Sequence, residues 1–463
     1  MISNSVQNVR DFGAIADGKS NDTQAIREAI DHCVERGGGT VYFPPGAYRS
    51  ATIHLHSNMT LYADSGATTL FSDDFDDYPP VRTRWEGIEC YGFSPLIYGF
   101  ELENVSIVGR GTLDGQGRRW WEKLRSRRAT GRIRPETRWE KELARMNQAY
   151  ETAGSGGGGR EMQFLRPPLI QLMGCRNVSI RDVTCTNSPF WNTHLVCCDD
   201  AVIEGVRFRN PKNAPNTDGL DLDSCSNVRV SNCLFDVGDD CLCLKAGIGE
   251  DGRKAGRPTE NIMVTNCTML QGHGGVVFGS ETAGGIRDVS VSNCIFEGTD
   301  RGIRIKSRRN RGGVVEDIHF SDIIMKNVLC PFVINMFYRC GSKPEEDWLF
   351  TETPQPISET TPQVRGLSLA NITDRQVRAA AGFIYGLPER PVQNLRLINV
   401  SIEVEPDAQQ TARDAAMIRG IDPGPRKGLV GKYISQMLVS GVQVTGAGDR
   451  PLLLENSEGV TVC

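Results

Sequence analysis

The sequence predicts an all-β protein, a parallel β-helix, and three observations carry that expectation. A short tag, Asn or Asp followed by apolar, any and apolar residues, recurs at Asn104, Asn177, Asp200, Asn227, Asn261, Asp288, Asp317 and Asn394. From Asn177 to Asp317 its steps are 23, 27, 34, 27 and 29 residues, a period that marks stacked solenoid coils of short strands. Within residues 216–335 a ten-residue phrase is written five times: NTDGLDLDSC, GDDCLCLKAG, GHGGVVFGSE, TDRGIRIKSR and LCPFVINMFY. Stacked without gaps, its fifth column reads Leu220, Leu242, Val276, Ile303 and Val333, and its seventh Leu222, Leu244, Phe278, Ile305 and Asn335. Alternation of that kind describes a strand with one face in and one face out. The 50 glycines suit many tight turns, and the LxxLxLxxN pattern of a leucine-rich repeat is absent.

The chain opens with a cap, about residues 9–48. Asn21 or Asp22 can start a helix whose apolar positions are Ala25, Ile26, Ala29, Ile30, Cys33 and Val34, and Gly37 stops it. Thr40–Phe43 then reads as a strand. An amphipathic helix there can plug the open end of a stack, which repeat proteins require. From about residue 50 short strands follow one another. The recurring Asn can form a side-chain ladder along the coils. Residues 117–166 break the rhythm, and include Gly154–Gly159 and the tryptophans Trp120, Trp121 and Trp139. Between Arg118 and Arg160 there are 12 Lys/Arg against 5 Asp/Glu. Such a run suits a solvated face, or a basic wall beside a cleft that takes an anionic ligand. Residues 339–365 and 405–430 read as further loops, and the final ENSEGVTVC as another coil. No linker divides the chain, so residues 1–463 form one predicted domain.

Composition narrows the function. With a net charge of −5 and a pI of about 5.8, nucleic acid is not an indicated partner. No stretch is long and apolar enough to predict a membrane span. The first residues lack a basic segment followed by an apolar one, so the expected location is the cytoplasm. Fifteen cysteines, many within strand-like runs, fit reduced, buried thiols. No finger-like Cys/His spacing is present, so zinc is not expected; no cofactor is expected either.

Chemistry concentrates where a turn enters the repeated strand. Asp239 and Asp240 are adjacent, and Asp218 lies one coil earlier. Three crowded carboxylates repel, and at least one is expected to keep its proton near neutral pH. That suits glycoside hydrolysis, in which one acid protonates the leaving oxygen and a base activates water. A carboxylate pair alone also suits calcium or a solvated turn; the third acid and His273, in the column of Asp239, favour acid–base work. Arg304 and Lys306 occupy outward columns of the next coil. They suit ion pairs with the acids or a substrate carboxylate. Asp221 shares the column of Arg304 and is a candidate partner or hydroxyl acceptor. Tyr338 offers a stacking face, and Trp191 and His194 sit one coil before Asp218 as a candidate floor.

The set Asn216-Thr-Asp-Gly, Gly238-Asp-Asp, Gly272-His-Gly and Arg304-Ile-Lys resembles the four motifs of glycoside hydrolase family 28, the polygalacturonases. The opening Asp11-Phe-Gly-Ala, Asp17-Gly and Asn21-Asp-Thr is similar to the start of many pectin-active β-helix proteins. The resemblance spans residues 9 to about 340. It implies a right-handed parallel β-helix, an inverting mechanism and no metal. It also implies Asp239 as general acid, Asp218 and Asp240 as activators of water, His273 as helper of the acid, and Arg304 and Lys306 as holders of galacturonate carboxylates. The motif residue Asn216 is carried over as a substrate contact. Val237-Gly238 stands where the family often has glutamine after the glycine. The basic insert, ending in Arg166-Pro-Pro, resembles the extra segment of bacterial exo-acting members, and Arg166 is expected to face the substrate.

The expectation is thus an exo-polygalacturonase that releases galacturonate from oligogalacturonides. Rhamnogalacturonan, xylogalacturonan or unsaturated-end oligomers are alternative substrates, and endo action an alternative mode. A pectate lyase would need calcium and an arginine base. A silent carbohydrate-binding β-helix would tolerate Asp239→Asn.

Overall fold

The computed structural model describes residues 6–131, 134–147, 160–407, 409–422, 428–448 and 450–463. The run Gly154–Gly159 lies outside the described residues.

Successive coils stack by parallel pairing. One face is a twelve-stranded parallel sheet running from Ile53–His54 to Leu452–Glu455. Its register confirms four copies of the repeated phrase, since Leu220, Leu242, Val276 and Ile303 follow one another strand to strand. The fifth copy is displaced by one residue: Ile303 pairs with Phe332 and Lys306 with Asn335. Every residue of Cys330–Asn335 is buried, so the period-two contrast that fixes register is missing there. The corrected register puts Ile334 in the inward column and stacks Asn335 on Lys306.

The outward face is also not solvated as the alternation suggests. The strands Leu220–Asp223, Asp240–Lys245, Gly274–Gly279 and Arg301–Lys306 are buried at every position. Three additions cover them. An antiparallel hairpin, Pro80–Trp85 with Ile88–Phe93, lies along one edge. The insert forms helices α2 (Arg118–Thr130) and α3 (Arg138–Met146), after the N-terminal helix α1 (Thr23–Glu35). A strap around 411–418 crosses the far coils.

α1 plugs the first coils as expected, burying Ala25, Ile26, Ala29, Ile30 and Cys33. Val34 is instead 40% exposed, at the rim of the apolar stripe. Asp22 does not cap α1 with its side chain; Oδ1 accepts from the backbone of Ile15.

All eight tag residues have φ between 53° and 57°. Asn and Asp tolerate this left-handed conformation better than other non-glycine residues, so the tag marks the corner of each coil. Asn177 donates to Asn104, which donates to Asn58, at 2.8 and 2.7 Å, and Asn261 donates to Asn227 at 3.3 Å. These are ladder contacts, with no part in chemistry.

Candidate active site

The entry turns of the repeated strands bring the acids together. Asp240 begins its strand opposite Gly274, and His273 N donates to Asp239 O at 2.9 Å. Gly272 sits at φ 128°, and a Cβ there would lie 2.4 Å from Asp239 O. The glycine is what lets the His273 turn lie against the Asp239 turn.

Each carboxyl has a different environment. Asp240 is wholly buried. Its Oδ2 accepts from Lys306 Nζ at 2.6 Å and its Oδ1 from Arg304 Nη1 at 3.2 Å. Burial alone would raise its pKa, but the Lys306 and Arg304 charges hold the carboxyl well below its usual range. Asp239 keeps 19% of its side chain exposed, and its Oδ1 lies 3.3 Å from His273 Nδ1. Against the effect of burial, the His273 charge lowers the Asp239 pKa. In return Asp239 raises that of His273. Asp218 has no such partner among the described residues. Burial first, then repulsion from Asp239, Asp221 and Asp240, pushes its pKa well up. Of the three acids Asp218 is therefore the one that holds its proton to the highest pH, and the Asp239–His273 pair shares another.

Arg304 and Lys306 are each 5.6 Å from the centroid of the Tyr338 ring, so Tyr338 stands over the cations as a wall. These residues line a cavity of about 590 Å³, together with Trp191, Asn216 and the three acids.

Three sequence-based placements are corrected. Asp221 is fully buried beneath the floor. Among the described residues its one close ion pair is with Lys245 Nζ, at 3.6 Å; Lys245 lines the cavity and Asp221 does not. His194 is also fully buried. It bonds Gln171 at 2.9 Å and stands edge-on to Trp191, so it supports Trp191 and does not itself form the floor. Arg166 is wholly buried too. Its guanidinium donates to Pro189 O, Pro215 O, Gln163 Oε1 and Asn216 Oδ1 at 2.7–2.9 Å. It positions Asn216 and the loops around it. Burial, and then the nearby Arg128, lowers its pKa to about 9.

Much of the insert's positive charge is also spent internally. Lys123 and Arg127 both pair with the buried Glu140 at 2.8 Å, and Trp120 and Trp121 are buried. Arg128 alone of the α2 residues lines the cavity. The insert and hairpin meet at an aromatic stack: Trp85 on Phe190 at 5.1 Å and Phe190 on Trp191 at 4.8 Å. Arg166 lies 5.0 Å over Phe190, and Trp85 Nε1 donates to Arg166 O. Of this cluster, Trp191 is the member that lines the cavity.

Sequence reasoning missed several lining residues. Lys245 and Glu281, 3.3 Å apart, both lie within the repeated phrase, so their columns were the available signal. Lys245 Nζ sits 4.6 Å over the Trp191 ring. Glu86, Arg128 and Met417 reach the cavity from distant segments, for which spacing gives no signal.

Donor atoms of Asp218, Asp240 and Cys243 lie within 4.8 Å of one another. They suit a metal poorly. Asp240 already bonds two cations, and burial pushes the Cys243 thiol well up, away from the thiolate a metal needs.

The model of glycosyl hydrolases family 28 matches residues 155–413, over half the chain. The chain belongs to glycosyl hydrolases family 28. A second model, rhamnogalacturonase A/epimerase, pectate lyase-like, matches residues 6–76 of this family 28 protein. A probable polygalacturonase from Vitis vinifera is 29% identical over 89% of the chain and 77% of its own length. An exo-poly-α-D-galacturonosidase from Dickeya chrysanthemi is 31% identical over 71% of the chain, and the chain spans 56% of that relative. The crystal structure of a hyperthermoactive exopolygalacturonase from Thermotoga maritima superposes with a TM-score of 0.73 at 28% identity, covering 100% of this chain and 92% of that one. The coils of the family 28 protein are those of a right-handed parallel β-helix.

Proposed function

We propose that the protein is an exo-acting polygalacturonase that hydrolyses galacturonate from the ends of oligogalacturonides with inversion. The observation that carries this reading is the pairing of a cation cluster with the acids. Arg304 and Lys306 stand beside Asp240 at the cavity floor, where a neutral sugar would give such cations nothing to bind. A uronate carboxylate would.

Asp239 is the general acid. It is the carboxyl with side-chain exposure toward the cavity, and His273 beside it supplies the proton that it passes to the leaving oxygen. Asp240, ionised, takes the proton of the attacking water, and Asp218, protonated, holds that water from the other side. The water oxygen bonds to the anomeric carbon as the glycosidic C–O bond breaks, which inverts the anomer.

Relatives named for exo and for endo action match at similar identity; the exo reading takes the Trp85–Phe190–Trp191 stack as the closed end of the groove. Fifteen free cysteines support a reducing location, the cytoplasm. The test is a time course on polygalacturonate and on tri- and tetragalacturonate, with the anomer followed by proton NMR. Monomer from the first minutes, with slow loss of viscosity and an inverted anomer, is the expected result. A ladder of mid-sized products would show an endo enzyme, and no cleavage would remove the polygalacturonase reading.

A further inference from the structure

The cavity is bounded on the Tyr338 side as well. Residues 411–418 cross it as a strap that belongs to no coil. Thr411 and Asp414 form a capping box that starts the short helix Ala412–Ala416. The strap is tied down from Ala415 to Ile418. Arg301 Nε donates to Ala415 O at 2.8 Å and Asn335 Nδ2 to Ala416 O at 2.9 Å. Arg339 N donates to Met417 O at 3.0 Å, and Ile418 bridges Tyr338. Met417 is held at φ 44°, a left-handed conformation that non-glycine residues keep only where their surroundings impose it.

Met417 turns onto the cation cluster. Arg304 Nη2 lies 3.2 Å from its sulfur, a weak acceptor. Asp414 and Met417 both line the cavity. Beyond the strap is a second cavity of about 860 Å³, bordered by Ala416 and Met417 and by Arg339, Arg413 and Arg419. The strap is a partition between the acid-bearing cavity and this one, where Arg413 pairs with Asp422 and Arg419 with Asp347.

We propose that the strap sets substrate length: with the aromatic stack closing one side and Met417 the other, the enzyme selects short galacturonides over long ones. A further uronate would have to pass the thioether and the Asp414 carboxylate, which repels it. This inference rests on the galacturonide-hydrolysing reading. With Met417 cut back, the active site opens toward the arginine-lined cavity, which can take the next anionic sugars.

The experiment measures kcat/KM on di-, tri- and pentagalacturonate and on polygalacturonate at equal concentrations of chain ends. For the unaltered protein the value per end drops at least about tenfold between trimer and pentamer, the scale one pocket contact can discriminate. Met417→Ala raises the pentamer-to-dimer ratio by about the same factor. Equal rates per end for dimer and pentamer in the unaltered protein overturn the inference, and leave the polygalacturonase reading standing. No cleavage of any galacturonide overturns both. The profile of the unaltered protein decides the matter even if the variant folds poorly.

Discussion

Lys306 Nζ lies 2.6 Å from Asp240 Oδ2, with 9% and 1% of the two side chains exposed. One cation therefore serves two purposes in the proposed reaction. It keeps Asp240 ionised in a buried place, and it faces the position of the substrate carboxylate. Arg304 adds a second bond to the same acid, so neither cation acts alone.

Lys306→Met should lower turnover about 10²- to 10³-fold, the usual scale for losing one charged donor in a closed site. The sign of its pH effect follows from Asp240. Lys306 depresses that pKa, so its removal raises it, and the acid limb of kcat/KM against pH moves to higher pH. An unmoved acid limb in the variant would show that Asp240 is not the titrating base.

His273→Asn tests the other pair. Asp239 raises the His273 pKa, so the pair releases its shared proton above the ordinary histidine range. Without the imidazole that proton leaves from a carboxyl, and the alkaline limb should move to lower pH, with a turnover loss of about 10²-fold or more. For stability, the raised His273 pKa contributes fully below its unfolded value. The contribution is lost as pH rises through the folded value. Chemical denaturation across neutral pH should show that slope in the parent and a smaller one in His273→Asn.

Asp218→Asn and Asp240→Asn should not be equivalent. Burial and the neighbouring acids push the Asp218 pKa well up; in the proposed reaction it is neutral, and an amide then replaces it with little change of charge. Asp240→Asn removes the proposed base and leaves Lys306 and Arg304 facing a neutral group. The expected losses are about 10-fold for Asp218→Asn and about 10³-fold or more for Asp240→Asn. The reverse order would make Asp218 the base.

Much of this was legible in the sequence because it depends on local period. The alternation of Leu220 to Asp223 or Arg301 to Lys306 fixes which side chains share a face, and the glycine turns fix where the acids enter. Burial of the outward face was not legible. It comes from the hairpin, the insert and the strap, which pack on the sheet from far along the chain. That is why Asp221 and His194 look available in sequence and are enclosed in the structure. Arg166 was misplaced for a related reason: a basic residue at the edge of a basic insert gives no sign that backbone and side-chain acceptors surround it. The one-residue slip at Cys330–Asn335 arose where Cys330 to Ile334 are all apolar and give no alternation to fix the register.

Arg166→Met tests the proposed closed end of the groove. The change leaves Pro189 O, Pro215 O and Asn216 Oδ1 without their donor, at a cost of about 1–3 kcal/mol for each group left buried and unpaired. Loosening of the Phe190–Trp191 stack should follow. Product analysis on polygalacturonate should then show dimers and trimers early beside monomer. A variant that is less stable but still yields monomer alone would show that this stack does not set the product size.

Asp374 offers a test of the coil interior, far from the chemistry. It points into the core, stacked between Met325 and Ile402, and is 1% exposed. Among the described residues neither of its carboxyl oxygens makes a well-formed hydrogen bond, and only the Arg375 backbone N–H offsets its burial. Burial pushes its pKa well above the usual carboxylate value, so the folded chain holds a proton that the unfolded chain releases. The acid therefore destabilises the fold increasingly as pH rises from the unfolded carboxyl range, about pH 4, toward its folded pKa. Asp374→Leu fills the same column with apolar atoms and removes the titration. It should raise stability at about pH 7 by about 1–3 kcal/mol, and flatten the fall in Tm between about pH 5 and about pH 8. Unchanged Tm across that range in both proteins would mean that Asp374 finds a partner in solution.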